Sequence, residues 1–220
     1  PEGSIAFADV DGDNDQDVLV TGRNDTNQII AKLYTNDGSG NFTEVTGTPF
    51  IGVFRSSITF ADVDGDNDQD VLITGHSSFG QKIAQLYTND GSGNFSLVSS
   101  TPFDGVEFSS VAFEDVDGDN DQDVLITGRN NSLQLITQLY TNDSNGNFSL
   151  VSGTPFDKIF LSSVAFADVD NDNDQDVFIT GGNSSGSIAK LYTNDSNGNF
   201  SLVSGTSFDG VFLSSIACAD

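Results

Sequence analysis

Short apolar runs bounded by Gly, Asn, Asp or Ser recur along this chain, a rhythm that predicts short β-strands joined by turns. In the second of the recurring stretches the strands fall at residues 57–63, 70–75, 82–88 and 94–99. The last two are separated by Asn89-Asp90-Gly91-Ser92-Gly93, whose glycines can take positive φ, so they form a hairpin. Runs such as Val71-Leu72-Ile73 are apolar throughout instead of alternating, as expected of a strand covered on both faces.

The pattern repeats. Asp9, Asp62, Asp115 and Asp168 are spaced by 53, 53 and 53 residues, and Tyr34, Tyr87, Tyr140 and Tyr192 by 53, 53 and 52. The single deletion lies between Thr180 and Tyr192, which marks that stretch as a loop. Such a period predicts an all-β chain of tandem four-stranded antiparallel blades of the β-propeller type, each stacking on its neighbours as part of a longer propeller or array. The repeats run over 4–56, 57–109, 110–162 and 163–214, with 215–220 as the first strand of a fifth that breaks off at Asp220. Phe50, Phe103, Phe156 and Phe208 recur in the connections and are expected to wedge between repeats, with the Tyr series as inter-blade core. Asp37, Asp90, Asp143 and Asp195 fit Asx turns in the hairpins.

Composition agrees and adds a charge problem. Eighteen Phe with no Trp or Met, and abundant Gly, favour strands and turns over helices. The net charge is −26 with only seven Lys and Arg, which excludes a nucleic-acid partner and an anionic membrane surface, and no run is apolar enough for membrane insertion. Five Asp in each of four loops account for twenty of the 33 acidic residues. The single Cys, Cys218, precludes an intrachain disulfide and takes a place held by Phe7, Phe60, Phe113 and Phe166, so it is expected in the core.

The loops are Asp9, Asp11, Asp13, Asp15, Asp17; Asp62, Asp64, Asp66, Asp68, Asp70; Asp115, Asp117, Asp119, Asp121, Asp123; and Asp168, Asp170, Asp172, Asp174, Asp176. Carboxylates so close repel one another by about 1 kcal/mol per pair even in water, so a folded loop calls for a cation. A hard ion bound by six to eight oxygens in flexible geometry suits the set, which predicts about one Ca2+ per repeat. Positions one, three, five and nine supply side-chain oxygens and position seven its carbonyl. Gly12 permits the turn, and Asn171, its counterpart in the fourth loop, is the next most tolerant residue there. An EF-hand does not fit, because counting from Asp9 its glycine and bidentate glutamate positions hold Asn14 and Val20.

The string FADVDGDNDQDVLVTG followed by LYTNDGSGNF resembles the FG-GAP/VCBS-type repeat of integrin α-subunit propellers and many secreted proteins. The resemblance spans essentially the whole chain. It implies a loop between the first two strands of a four-stranded blade that binds calcium through its first, third, fifth and ninth residues and the seventh carbonyl. It also implies adhesive, ligand-binding or scaffold roles outside the cell.

Nine Asn-x-Ser/Thr sequons, at Asn24, Asn41, Asn94, Asn130, Asn142, Asn147, Asn183, Asn194 and Asn199, point to an N-glycosylated, secreted or cell-surface protein. Asn41, Asn94, Asn147 and Asn199 hold equivalent places before the fourth strand. His76, the only His, stands where other copies have Arg23, Arg129 and Gly182 and is expected in a surface loop, so no catalytic constellation emerges. The expected function is a non-enzymatic calcium-stiffened structural or adhesive segment whose partners are neighbouring copies of itself. The alternative is a closed propeller binding a protein or glycan ligand on one face.

Overall fold

The computed structural model describes residues 2–217; Cys218 and Asp220, with the expectations attached to them, lie outside the described residues. Every element among the described residues is a strand. The first repeat holds β1 (Ser4–Ala8), β2 (Asp17–Arg23), β3 (Ile29–Asn36) and β4 (Phe42–Glu44); the second holds β5 (Val53–Ala61), β6 (Asp70–Ser77), β7 (Lys82–Asn89) and β8 (Phe95–Leu97). The third holds β9 (Val106–Glu114), β10 (Asp123–Asn130), β11 (Leu135–Thr141) and β12 (Ser149–Leu150), and the fourth β13 (Phe160–Ala167), β14 (Asp176–Asn183), β15 (Gly186–Thr193) and β16 (Ser201–Leu202). Each repeat is an antiparallel meander in which consecutive strands pair.

The chain divides into two compact units, residues 1–107 and 108–220, each carrying two repeats. In the first unit the core lies between repeats 1 and 2. Val10, Leu19 and Leu33 of one sheet meet Val53, Ile58, Val71, Ile73 and Tyr87 of the other. The second unit has the same design, with Val116, Leu125 and Leu139 against Val164, Val177, Ile179 and Tyr192. β6 and β10 are buried along nearly their whole length, which accounts for their unbroken apolar runs. Phe50, in the first connection, meets Tyr87 edge-on at 5.0 Å, and Phe156 meets Tyr192 at 5.1 Å, so both act as the wedges their recurrence predicts.

The first strand of a repeat starts earlier than its hydrophobic pattern suggests. β5 begins at Val53, so a boundary at residue 56 cuts through it. The cause is a β-bulge: the register shifts between Phe54 and Ser57, and Arg55 takes φ +52°. Phe108, Leu161 and Leu213 adopt the same left-handed backbone at equivalent places, with φ of 50–55°. Arg, Phe and Leu carry no sequence signal for that conformation.

Candidate metal centre

The aspartate loops join the first and second strands of each repeat. Two left-handed residues close each turn, Gly12 and Asn14 in the first loop (φ +77° and +69°) and Asn171 and Asn173 in the fourth (φ +64° and +71°). Position six therefore shares the demand that sequence reasoning assigned to position four alone. The position-one carboxylate organises the turn. Asp9 Oδ1 accepts from the Gly12 amide and Oδ2 from the Asn14 amide, each at 2.9 Å. Position five makes a smaller ring of its own, with Asp66 Oδ1 accepting from the Asp68 amide at 2.9 Å.

Position nine is the first residue of the second strand and is buried in all four repeats. Both oxygens of Asp70 accept backbone bonds from different segments, from Val63 N at 3.0 Å and Asn89 N at 2.8 Å. Asp17, Asp123 and Asp176 do the same with Val10 and Asn36, Val116 and Asn142, and Val169 and Asn194. This carboxylate locks the loop entrance to the end of the third strand. The sequence reading gave it only a ligand's role.

Position three differs. Oδ1 of Asp11, Asp64 and Asp117 is buried and has no hydrogen-bond partner, although a buried anionic oxygen is costly to leave unpaired. Each lies in a knot of acids whose oxygens are within 4.8 Å of one another: Asp9, Asp11 and Asp13; Asp62, Asp64 and Asp66; Asp115, Asp117 and Asp123. In the fourth loop Asp168, Asp170 and Asp176 gather likewise, with Asp170 exposed. All-oxygen donors around a buried unpaired carboxylate oxygen fit a hard divalent cation and not a soft one.

Position seven turns toward the hairpin of its own repeat. A Cβ on Gly91 would sit 2.6 Å from the Asp68 carboxylate, so a larger residue there requires that carboxylate to shift. In the third and fourth repeats a serine takes that place, and its hydroxyl fills the space. Ser144 Oγ donates to Asp121 Oδ2 at 3.0 Å and Ser196 Oγ to Asp174 Oδ2 at 2.8 Å. Only one oxygen of each is engaged in this way, and Oδ1 of Asp121 and of Asp174 is buried without a hydrogen-bond partner.

Hairpin and loop also meet across neighbouring repeats. Asn89 Nδ2 donates to Val10 O at 2.8 Å in the first unit, and Asn194 Nδ2 to Val116 O at 2.7 Å in the second. Sequence reasoning gave Asn89 only a place in the hairpin turn and Asn194 only a sequon, yet their recurrence in all four copies of Tyr-Thr-Asn-Asp was a readable signal of a structural role. Asp37, Asp90, Asp143 and Asp195 stay out of the acid knots. Asp90 Oδ1 accepts from the Ser92 and Asn94 amides, an Asx-type turn.

Without a cation several of the loop carboxyls resist ionising. Burial pushes Asp70 up to about 6 and Asp123 up to about 7, against their hydrogen bonds. Burial first, then neighbouring aspartates, raises Asp11, Asp64, Asp117 and Asp170. Hydrogen bonds from the Asn41 and Asn94 side chains lower Asp37 and Asp90, an effect confined to strongly acid solution. A carboxyl raised in the folded state binds more protons folded than unfolded. Its stabilising effect is complete below about pH 4 and is lost as pH rises through the folded values of about 6 and about 7. The cation-free chain is therefore expected to melt at progressively lower temperature between pH 4 and pH 7.5, and added calcium to reverse that slope; melting curves across this range with and without calcium check it.

His76 is placed differently from the expectation. It lies in β6, half-buried, its ring stacked on Phe54 at 5.0 Å. Its Nδ1 is 3.3 Å from Glu107, a buried carboxylate that also meets Arg55 at 3.0 Å and Lys82 at 3.4 Å. Glu107 stands where other repeats have Phe54, Phe160 and Phe212, so one buried anion has recruited several of the chain's few cations. It is a charge-balancing cluster at the opposite end of the strands from the aspartate loops.

The sequons divide by environment. Asn41, Asn94, Asn147 and Asn199 are exposed, each side-chain amide bonded to the hairpin aspartate four residues before it. Asn130, Asn142 and Asn194 are buried, and Asn24 and Asn183 accept turn amides through Oδ1.

No helix among the described residues is long and apolar enough to cross a membrane. No curated protein matches the chain. The profile of the FG-GAP-like repeat matches three times, over residues 9–73, 62–126 and 115–179, each match running from one aspartate loop through the next. Those matches cover well over half of the 220 residues and agree with the strand–loop–strand geometry, so the chain belongs to the FG-GAP-like repeat family.

Proposed function

We propose that each aspartate loop holds one calcium ion and that the chain is a non-enzymatic, extracellular structural or adhesive repeat module stiffened by that calcium. The observation that carries the reading is the buried, unpartnered Oδ1 of Asp11, Asp64 and Asp117, each within a knot of acids. Positions one, three, five and nine supply the carboxylates and position seven its carbonyl. The ion offsets the mutual repulsion and clamps a turn that also touches the next repeat through Asn89 or Asn194. The ion is thus a stiffener of the joint between repeats. Calcium loops of modest affinity fill where calcium is millimolar, outside cells. N-glycans belong on the exposed row of Asn41, Asn94, Asn147 and Asn199.

Equilibrium dialysis at neutral pH tests the reading. About four calcium ions per chain are expected, one for each of the loops, with magnesium a poor competitor because it demands a smaller and more regular shell. A chain that retains no calcium at millimolar concentration would overturn it.

A further inference from the structure

The four loops are alike in sequence, but their position-seven carboxylates are not alike in structure. In repeats 1 and 2 the hairpin residue facing that carboxylate is a glycine, Gly38 or Gly91, with φ +69° and +72°. Both oxygens of Asp68 turn to its glycine, each 2.6 Å from where a Cβ would sit. Asp15 and Asp68 are half-buried.

In repeats 3 and 4 the facing residue is Ser144 or Ser196, held in the same left-handed backbone at φ +62° and +60°. Serine takes that conformation less readily than glycine, and what it adds is a hydroxyl. Ser144 Oγ holds Oδ2 of Asp121, and Ser196 Oγ holds Oδ2 of Asp174. Both carboxylates are buried, Asp121 at 6% exposure and Asp174 at 7%, and Oδ1 of each has no hydrogen-bond partner.

The carboxyls so held lie against acids of their own loop. Asp121 is within hydrogen-bonding reach of the Asp119 carboxyl and Asp174 of the Asp172 carboxyl, whereas Asp15 and Asp68 meet position five only as a charge at longer range. The backbone follows. The position-seven amide is 2.9 Å from the position-five Oδ1 in repeats 1 and 2 and 3.2 Å from it in repeats 3 and 4. Two ionised carboxylates have no proton to share, and a cation between them satisfies both.

We propose that the chain carries two classes of calcium site, and that in repeats 3 and 4 Asp121 and Asp174 add a side-chain oxygen to the shell, aimed there by Ser144 and Ser196. This rests on the reading of the loops as calcium sites and ranks those sites. Four carboxylates and the position-seven carbonyl leave room in a shell of six to eight oxygens. A further carboxylate oxygen takes a place that water would otherwise hold, and affinity rises with the charge and the rigidity of the ligand set. The serines touch the carboxylate and not the ion, so they are positioning residues. Each compact unit holds one class, and as calcium falls residues 1–107 release their ions before residues 108–220.

A calcium titration of the whole isotopically labelled chain, followed by the amide resonances of each loop, tests this. The amides of Asn120 and Asn173 are expected to reach half-saturation at a calcium concentration about tenfold or more below that for Asn14 and Asn67. Ser144→Gly combined with Ser196→Gly, which the left-handed backbone accepts, should bring the third and fourth loops to the level of the first two and leave the melting of the calcium-free chain little changed. Asp121→Asn combined with Asp174→Asn should act on the same two loops. Serines with a merely structural role would lower the calcium-free melting and leave the half-saturation points where they were, which overturns the inference. Four loops that fill together, or the first two before the last two, overturn it as well and leave the calcium reading standing. A chain that takes up no calcium overturns both.

Discussion

Chelating calcium is expected to lower the midpoint of thermal unfolding at neutral pH by about 20–40 °C. At a calcium concentration a hundredfold above the dissociation constant each filled loop contributes about 2.7 kcal/mol, and each compact unit holds two loops. For a unit of this size each kcal/mol moves the midpoint by roughly 4–8 °C. The effect should be smallest near pH 4, where protonation relieves the same repulsion that calcium relieves at pH 7. Differential scanning calorimetry with and without chelator reads both. A midpoint that ignores chelator at neutral pH would mean that the acid knots are stable as solvated turns.

Replacing a position-nine aspartate should do a different kind of damage. Asp70→Ala removes a buried carboxylate together with the hydrogen bonds it accepts from the Val63 and Asn89 amides. The expected cost is about 3–5 kcal/mol, present even without calcium. Asp64→Asn should behave in the opposite way. With calcium it loses a ligand and destabilises, but without calcium it removes a buried unpaired charge and should leave stability unchanged or raised. Urea unfolding of both variants, with and without chelator, separates a carboxylate that holds the fold from one that waits for an ion. Because the cores lie within each two-repeat unit, the loss at Asp70 should fall on residues 1–107, which hydrogen exchange can localise.

Much of this architecture is written in the period. Tyr87, Phe50 and the Val71-Leu72-Ile73 run announce a strand buried on both faces, because a stacked repeat reuses the same contact in each copy. The loops are legible for the same reason, and Asn171 in place of Gly12 fits its left-handed turn. What the sequence hides is division of labour among like residues. Five aspartates look equivalent in a string, yet position one shapes the turn, position nine locks two strands and position three keeps a buried oxygen free in three of the four loops, as position seven does in the last two. Those roles depend on which backbone amides arrive from elsewhere, Asn89 among them, and no local pattern encodes that. The bulge at Arg55 is invisible for a related reason: tertiary pairing on both sides of it overrides the preference of an ordinary residue for negative φ. Glu107 is an acid in a phenylalanine's place, and its meaning appears only when Arg55, His76 and Lys82 converge on it. The sequons show the converse error, because Asn-Asp-Ser at Asn142 and Asn194 is a buried structural asparagine followed by a turn.

The most direct test of the central claim is a calcium count on the chain beside a variant carrying Asp11→Asn, Asp64→Asn, Asp117→Asn and Asp170→Asn together. Equilibrium dialysis at neutral pH is expected to give about four ions for the unaltered chain, one per loop, and a loss of affinity at every site for the variant. Equal calcium uptake by the two, or none by either, would contradict it.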